Sequence, residues 1–228
     1  MNPECAPNQS VADAGSDHAL FAARFITRQQ AERYRDRYRK GRHVRIDRIE
    51  RAILRELLGG LGRFEVALDI PSGNGRLSPL FGEVSNKLIL ADSSPVMLEM
   101  AREEVSHPCV EYLETDIQHM SLPDHSVDII FCHRLLHHIH NADTRARIFA
   151  ELSRVTRRYA ILSYYSPGLR TRWRWFARRL LGRAAPRGRP APLRQFMAEA
   201  AAAGLRPIRQ KTLRQFPFAA VFVLFEKR

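Results

Sequence analysis

The stretch Val66-Ala67-Leu68-Asp69-Ile70-Pro71-Ser72-Gly73-Asn74-Gly75-Arg76 constrains the fold most. A short apolar run closes on an acid and breaks into a loop with two glycines. Arg76-Leu77-Ser78-Pro79-Leu80-Phe81 then reads as the start of a helix. Strand, tight loop and helix is the geometry that holds a nucleotide-like ligand at the carboxyl edge of a parallel sheet. Further on, Lys87-Leu88-Ile89-Leu90-Ala91-Asp92 repeats the form, an apolar run ending in an acid. A carboxylate at that point accepts hydrogen bonds from ribose hydroxyls. Two glycines in a loop are weak evidence alone; the order of the pieces carries the reading.

The same alternation continues along the chain. Strands are expected near 64–70, 87–91, 110–115, 127–132 and 158–164, with helices near 75–83, 94–106 and 143–155. This is βαβ alternation, hence an α/β fold with a parallel sheet and helices on both faces. A helix over 192–203, a turn at Gly204 and two strand-like runs around 205–214 and 217–227 follow. The last run, Phe218-Ala219-Ala220-Val221-Phe222-Val223-Leu224-Phe225, is continuously apolar, so that strand should be buried on both faces. Ahead of the sheet, residues 1–17 read as a polar, frayed tail and 18–60 as N-terminal helices over the substrate side. From His18 to Gly41 the pattern is helical, with Leu20, Phe21, Phe25 and Ile26 on one face before the basic run Arg33–Lys40. Asp47 opens or extends a second helix, with Ile46, Ile49, Ile53, Leu54, Leu57 and Leu58 on one side, and Gly59-Gly60 ends it.

Composition bounds the partners. The 228 residues carry a formal charge of +13, with 45% hydrophobic residues, so the chain has material for a core and an attraction to anions. Nucleic acid, anionic lipid and phosphorylated substrates all qualify, and arginine richness inherited from genomic composition is the plain alternative. Cys5, Cys109 and Cys132 have no paired spacing, which fits neither a disulfide framework nor a zinc ribbon and suits a cytoplasmic setting. No run approaches the roughly 18–20 apolar residues of a membrane span. The first residues lack a charged-then-apolar signal pattern.

Five landmarks line up in order. They are Asp69-x-Pro71-x-Gly73-x-Gly75; Asp92 before Ser93-Ser94-Pro95-Val96-Met97-Leu98; Leu113-Glu114-Thr115-Asp116-Ile117; Leu122 to Ile130; and Cys132-His133-Arg134-Leu135-Leu136-His137-His138-Ile139. Across roughly 62–165 the chain resembles the class I S-adenosylmethionine-dependent methyltransferases, particularly those that modify quinones and other small molecules. The resemblance implies a Rossmann-like, doubly wound, mostly parallel seven-stranded sheet, a methyltransferase domain over 61–228, and S-adenosyl-L-methionine as cofactor. It places Asp69 near the methionine end of the cofactor, Asp92 on the ribose, and Asp116 on the adenine amino group with Ile117 flanking the ring. Gly73 and Gly75 would let the backbone approach where a Cβ would collide. His133, with Tyr164 and Tyr165 at the end of the fifth strand, would face the acceptor. The family usually has glycine where this chain has Pro71, so the loop must need neither a positive φ nor an N–H donor there. The Cys132, His133, His137, His138 and His140 cluster lacks a complete metal-ligand set, and no metal is expected.

The acceptor is harder to read. No Asn-Pro-Pro-aromatic run follows the fourth strand, and Pro108-Cys109 lies ahead of the third strand, misplaced for a pyrimidine-directed nucleophile. Nucleic acid is therefore the weaker reading despite the charge. Residues 166–191 interrupt the alternation as a basic insertion, and between Glu151 and Glu199 there are twelve arginines and no acid. On a helix, Leu169, Trp173, Phe176 and Leu180 share a face, Arg174 and Arg178 lie opposite, and Arg172, Arg179 and Arg183 flank it. That pattern fits an interfacial helix on an anionic membrane, or a lid packed on the domain. The expected function is methyl transfer to a small, apolar or amphiphilic, lipid-like acceptor, in the cytoplasm or peripherally on the inner face of the membrane. The alternatives are a cofactor- or anion-binding protein without turnover, and an RNA methyltransferase.

Overall fold

The computed structural model describes residues 27–167, 173, 177, 180–181, 190–215 and 218–228. Seven strands form one sheet in the order β3-β2-β1-β4-β5-β7-β6. The strands are β1 (Phe64–Asp69), β2 (Ser85–Asp92), β3 (Val110–Glu114), β4 (Val127–Cys132), β5 (Thr156–Pro167), β6 (Leu205–Gln215) and β7 (Phe218–Lys227). β1 to β5 run parallel, while β7 pairs antiparallel with both β5 and β6. Strand order reverses at β1, which lies between β2 and β4. In such sheets the crevice beyond the strand ends at this switch point is where ligands bind.

The helices are α1 (Arg28–Arg37), α2 (Arg42–Leu58), α3 (Pro79–Gly82), α4 (Pro95–Glu104), α5 (Ala142–Val155) and α6 (Leu193–Ala202). Strand side chains alternate between two cores. On one face Leu68, Ile130, Leu162, Val223 and Phe225 pack against Phe149 and Leu152 of α5 and Phe196 of α6. On the other, Ala67, Leu90, Ile129, Ile161, Phe222 and Leu224 pack against Leu54 and Leu57 of α2, Phe81 of α3 and Ala101 of α4. Ala220 to Phe225 are all buried, as the continuous apolar run requires. Its antiparallel pairing shows that burial on both faces comes from helices above and below, not from strand direction.

Three expectations shift. The helix expected over 75–83 shrinks to α3, because Gly73 (φ 54) and Gly75 (φ 74) keep the preceding loop out of helical geometry and Pro79 then starts the turn. α2 begins at Arg42 rather than near Asp47, after Gly41 at φ 57 breaks the chain from α1. α1 begins at Arg28, where Thr27 and Gln30 form a reciprocal capping box (Gln30 N–H to Thr27 Oγ1, 3.4 Å; Thr27 N–H to Gln30 Oε1, 3.1 Å). The apolar residues expected ahead of it, Leu20 to Ile26, lie outside the described residues.

α1 lies on α4. Ala31 packs with Met97 and Met100, and Arg28 reaches Glu103 with two bonds of 2.7 and 3.0 Å. Exposed ion pairs of this kind contribute about 0–1 kcal/mol, so the apolar contact fixes the helix and the charges set its register. Of the basic insertion, Trp173, Ala177 and Leu180 are helical, Trp173, Leu180 and Leu181 are exposed, and Leu181 N–H donates to Ala177 O at 3.1 Å. Phe176 and the arginines of that segment lie outside the described residues. No helix among the described residues is long and apolar enough to cross a membrane.

Candidate active site

A cavity of about 540 Å³ opens at the carboxyl ends of β1, β2 and β4, within the usual range for small-molecule sites of about 300–1,000 Å³. Its floor is Asp69, the 71–74 loop and Asp92 to Ser94; its wall is His133, Arg134, His137, His138 and Tyr165. Gln30, Arg33, Tyr34 and Arg37 of α1 form the roof.

Both floor acids are strand-end residues held by local geometry. Asp69 is buried and accepts a 2.5 Å bond from the Ser78 hydroxyl. Burial pushes its carboxyl up to about 7, against the pull of Ser78, and the nearby Asp92 adds to the rise. Asp92 accepts from the Gly73 N–H at 2.8 Å and the Ser94 N–H at 2.9 Å. Burial lifts it to about 6, with those backbone donors opposing the rise. Ser94 also caps α4, accepting from Met97 N–H at 3.3 Å with Pro95 in the first helical turn, so one turn fixes both the helix start and the acid.

The loop explains its own composition. The N–H groups of Ile70 and Ser72 donate to Phe131 O (2.9 Å) and Ala91 O (2.8 Å), so the backbone closes without a donor at Pro71, which follows a cis peptide bond. The two glycines differ from the expectation. A Cβ on Gly73 would meet nothing within 4 Å, whereas one on Gly75 would stand 2.4 Å from Val105 Cγ2 and 3.2 Å from Leu90 Cδ2. Gly75 is thus required by core packing beneath the loop. It does not line the main cavity.

The wall is tied together by Glu50 of α2. This fully buried carboxylate accepts from Arg76 Nη2 (2.7 Å), Arg134 Nη2 (2.8 Å) and the Tyr165 hydroxyl (3.2 Å). Burial alone would raise its pKa; the bound guanidiniums of Arg134 and Arg76 outweigh that and hold it well below the ordinary carboxylate range. Arg76 also pairs with Asp47, and its guanidinium lies 4.0 Å from the Tyr38 ring centroid. Arg134 sits at φ 60, a conformation that turns its side chain back over the site and is secured by its N–H donating to Ser163 Oγ at 2.9 Å.

His133 lies between the Phe131 and Phe222 rings, with centroids at 5.5 and 5.4 Å. Its Nε2 receives the Arg134 Nε–H at 3.0 Å; a guanidinium only donates, so Nδ1 carries the proton and donates to Ser163 Oγ at 2.8 Å. Burial pushes its pKa down to about 4, Glu50 pulling the other way and the guanidiniums reinforcing the drop. The imidazole is therefore neutral, with both nitrogens engaged.

Among the other residues singled out from sequence, Tyr165 lines the cavity and Tyr164 does not. Strand alternation turns Tyr164 to the opposite core, where it stacks on Phe196 and donates to Ala191 O at 2.6 Å; the expected acceptor contact is corrected accordingly. Asp116 and Ile117 are also absent from the cavity wall. The Asp116 carboxylate accepts from the Gln118 N–H at 2.8 Å, and Ile117 is buried in the core under α5. Cys132 is likewise buried in that core, away from the histidines of the wall. Glu50 and Arg134 were not anticipated. A signal existed for Glu50: an acid in register with Ile46, Ile53 and Leu54 on an otherwise apolar helix face needs a buried partner.

Residues 68–163, the stretch that builds this floor and wall, match the methyltransferase domain family. The chain carries a class I S-adenosylmethionine-dependent methyltransferase domain. A curated relative of this chain, the malonyl-[acyl-carrier protein] O-methyltransferase of Pectobacterium atrosepticum, is 31% identical over 97 residues. The match covers 42% of this chain and 36% of that protein, so the chain spans about a third of the relative's length. In fold, the chain is similar to the magnesium protoporphyrin IX methyltransferase of Synechocystis PCC 6803 with bound S-adenosylhomocysteine. That similarity has a TM-score of 0.71 at 15% identity and covers 93% of this chain and 100% of the other. The N-methyltransferase NodS of Bradyrhizobium japonicum WM9, also in complex with S-adenosylhomocysteine, follows with a TM-score of 0.59 at 15% identity, covering 79% and 86%.

Proposed function

We propose that this methyltransferase moves the methyl group of S-adenosylmethionine to a small, amphiphilic acceptor at the carboxyl edge of the sheet. The observation that carries the reading is the pair of buried strand-end carboxylates, Asp69 and Asp92, facing one cavity around the Gly73 loop. The residues fit the cofactor. Asp92 is fixed by the backbone donors of Gly73, Ser94 and Ser93 and, with two oxygens able to accept about four bonds, retains capacity for a ribose hydroxyl. The space around the Gly73 Cα leaves room for a ligand against the loop. Asp69, poised near neutrality by burial, ionises when cationic groups of the methionine end lie beside it. Ser93, Ser94 and Met97 line the cavity beside Asp92, and we assign the adenine to them in place of Asp116 and Ile117.

Bound there, the cofactor supplies an electrophilic methyl carbon. The wall then positions the acceptor, and positioning alone accounts for much of the rate in an in-line transfer. His133 is a positioning residue in this account: with its Nε2 lone pair held by Arg134 and a pKa near 4, it is a weak base at neutral pH. Tyr165, held by Glu50, completes the wall. The relatives' named substrates, a malonyl-acyl carrier protein and magnesium protoporphyrin IX, support a small or carrier-borne acceptor. The exposed Trp173, Leu180 and Leu181 on an arginine-rich segment favour uptake from an anionic membrane surface on the cytoplasmic side.

Incubating the protein with labelled S-adenosylmethionine and a host-cell extract, then separating lipid, small-molecule and RNA pools, tests the reading. Label is expected in the lipid or small-molecule pool. Label in RNA alone would replace the acceptor class. Cofactor binding without any label transfer would make the chain a binding module.

A further inference from the structure

α1 sorts its arginines. On the side that meets α4, every arginine of α1 and of the turn that follows it is paired: Arg28 with Glu103 and Glu32, Arg35 with Asp36 and Glu104, and Arg39 of the turn with Glu104. One turn apart on the other face, Arg33 and Arg37 line the roof of the cavity together with Gln30 and Tyr34. Among the described residues neither Arg33 nor Arg37 makes an ion pair. Arg37 makes only a distant ring contact, its guanidinium 5.9 Å from the Tyr34 centroid.

The cavity itself supplies nothing to neutralise them. Its acids, Asp69 and Asp92, are floor residues held by Ser78, Gly73 and Ser94. The other cavity arginines, Arg76 and Arg134, are already matched by Glu50, with Asp47 also on Arg76. His43 registers the local field: its pKa is lowered by burial first and then by the charges of Arg42, Arg37 and Arg134. Arg33 and Arg37 are exposed, and what sets them apart from solvated arginines elsewhere is that the unpaired side of α1 is also the roof of the cavity. Two guanidiniums at i and i+4 form a donor array suited to an oxyanion, carboxylate or phosphate, which they bind through paired N–H groups.

We propose that Arg33 and Arg37 form the docking site for an oxyanionic group of the methyl acceptor, so the acceptor is an amphiphilic anion and not a neutral quinone-like ring. The proposal rests on the methyl-transfer reading above. The carboxylate of the cofactor is the other possible source of an oxyanion, and the test separates the two.

A solvent extract of host cells, freed of protein and nucleic acid, is split on an anion exchanger into retained and unretained pools, and each is incubated with the protein and labelled S-adenosylmethionine. Label is expected in the retained pool. The Arg33→Gln/Arg37→Gln double variant should lose about tenfold or more of that transfer at limiting extract, while S-adenosylhomocysteine affinity by calorimetry stays within about twofold. The Arg33→Lys/Arg37→Lys variant, which keeps the charge, should recover part of the transfer and guards against a folding artefact. Label in the unretained pool, or full transfer by the Gln variant, overturns the proposal and leaves methyl transfer standing. A parallel loss of S-adenosylhomocysteine affinity assigns the arginines to the cofactor and also overturns it. Label in neither pool, with S-adenosylhomocysteine bound, overturns this proposal; label then appearing with unfractionated extract leaves methyl transfer standing, and none appearing overturns that reading as well.

Discussion

Replacing Asp69 by Asn removes a buried carboxylate from the cavity floor. Its pKa rises from 3.8 to about 7, which at 1.36 kcal/mol per unit corresponds to about 4 kcal/mol. The sign follows from proton counting. Between about pH 4 and about pH 7 the folded chain holds a proton on Asp69 that the unfolded chain has released, so stability of the free protein falls as pH rises through that window. A cationic group of the ligand, such as the ammonium of the methionine end that S-adenosylhomocysteine also carries, reverses the preference by favouring the ionised acid. If only the ionised form binds, affinity for S-adenosylhomocysteine should weaken about 30-fold between about pH 8 and about pH 5.5 through Asp69. Asp92, lifted to about 6, adds about a further fourfold over the same range. Calorimetry across pH reads the total, about 100-fold for the unmodified chain, and in two buffers of different ionisation enthalpy it counts the protons released. Asp69→Asn should bind more weakly at about pH 8, keep only the Asp92 slope, and melt at a higher temperature than the parent when ligand-free. A flat pH profile in the parent, or an unchanged slope in the variant, would refute the placement of Asp69 beside a cationic ligand.

The loop glycines separate packing from approach: Gly75→Ala drives a Cβ into Val105 at φ 74 and should lower the melting temperature by several degrees. Gly73→Ala, with open space around it, should cost only about 1–2 kcal/mol of backbone strain. Glu50→Gln leaves two guanidiniums without their buried partner and should destabilise by about 3–5 kcal/mol by denaturant titration. Because Glu50 is held below its ordinary value, its contribution should be fully present above about pH 4.5, decline progressively below that, and be gone only once pH has fallen through its lowered folded-state value. The membrane reading expects flotation with anionic vesicles, much less with neutral ones, and loss when Trp173 and Phe176 are both replaced by Ser in a folded protein; binding indifferent to the two aromatics would reduce it to charge attraction.

Features legible in the sequence were those written locally. An apolar run closing on Asp69 or Asp92 reads as a strand end, because burial and the acid sit within a few residues of each other. The same holds for β7, whose run of apolar residues announced two covered faces. What failed depended on parity or on distance. Tyr164 and Tyr165 are neighbours, and which one meets the cavity is decided by the registry of β5 against β4 and β7. Glu50 meets Arg134 only after α2 crosses the sheet, so neither motif predicts the other. Asp116 stands at the end of β3 much as Asp92 stands at the end of β2. Its side chain closes a turn on Gln118 instead, a choice made by local backbone geometry that residue type does not reveal. Gly75 looks in the sequence like room for a ligand, but the space it leaves is filled by Val105.

The central claim is that the crevice between β1, β2 and β4 is an S-adenosylmethionine site gated by two strand-end acids. Calorimetric titration of the intact chain with S-adenosylhomocysteine, with NAD in parallel, tests it most directly. The account predicts one S-adenosylhomocysteine per chain, no binding of NAD, and a loss of about tenfold or more in affinity for a folded Asp92→Ala variant, the effect of removing a charge-assisted hydrogen bond. Binding of NAD without S-adenosylhomocysteine, or unchanged affinity in Asp92→Ala, would contradict it.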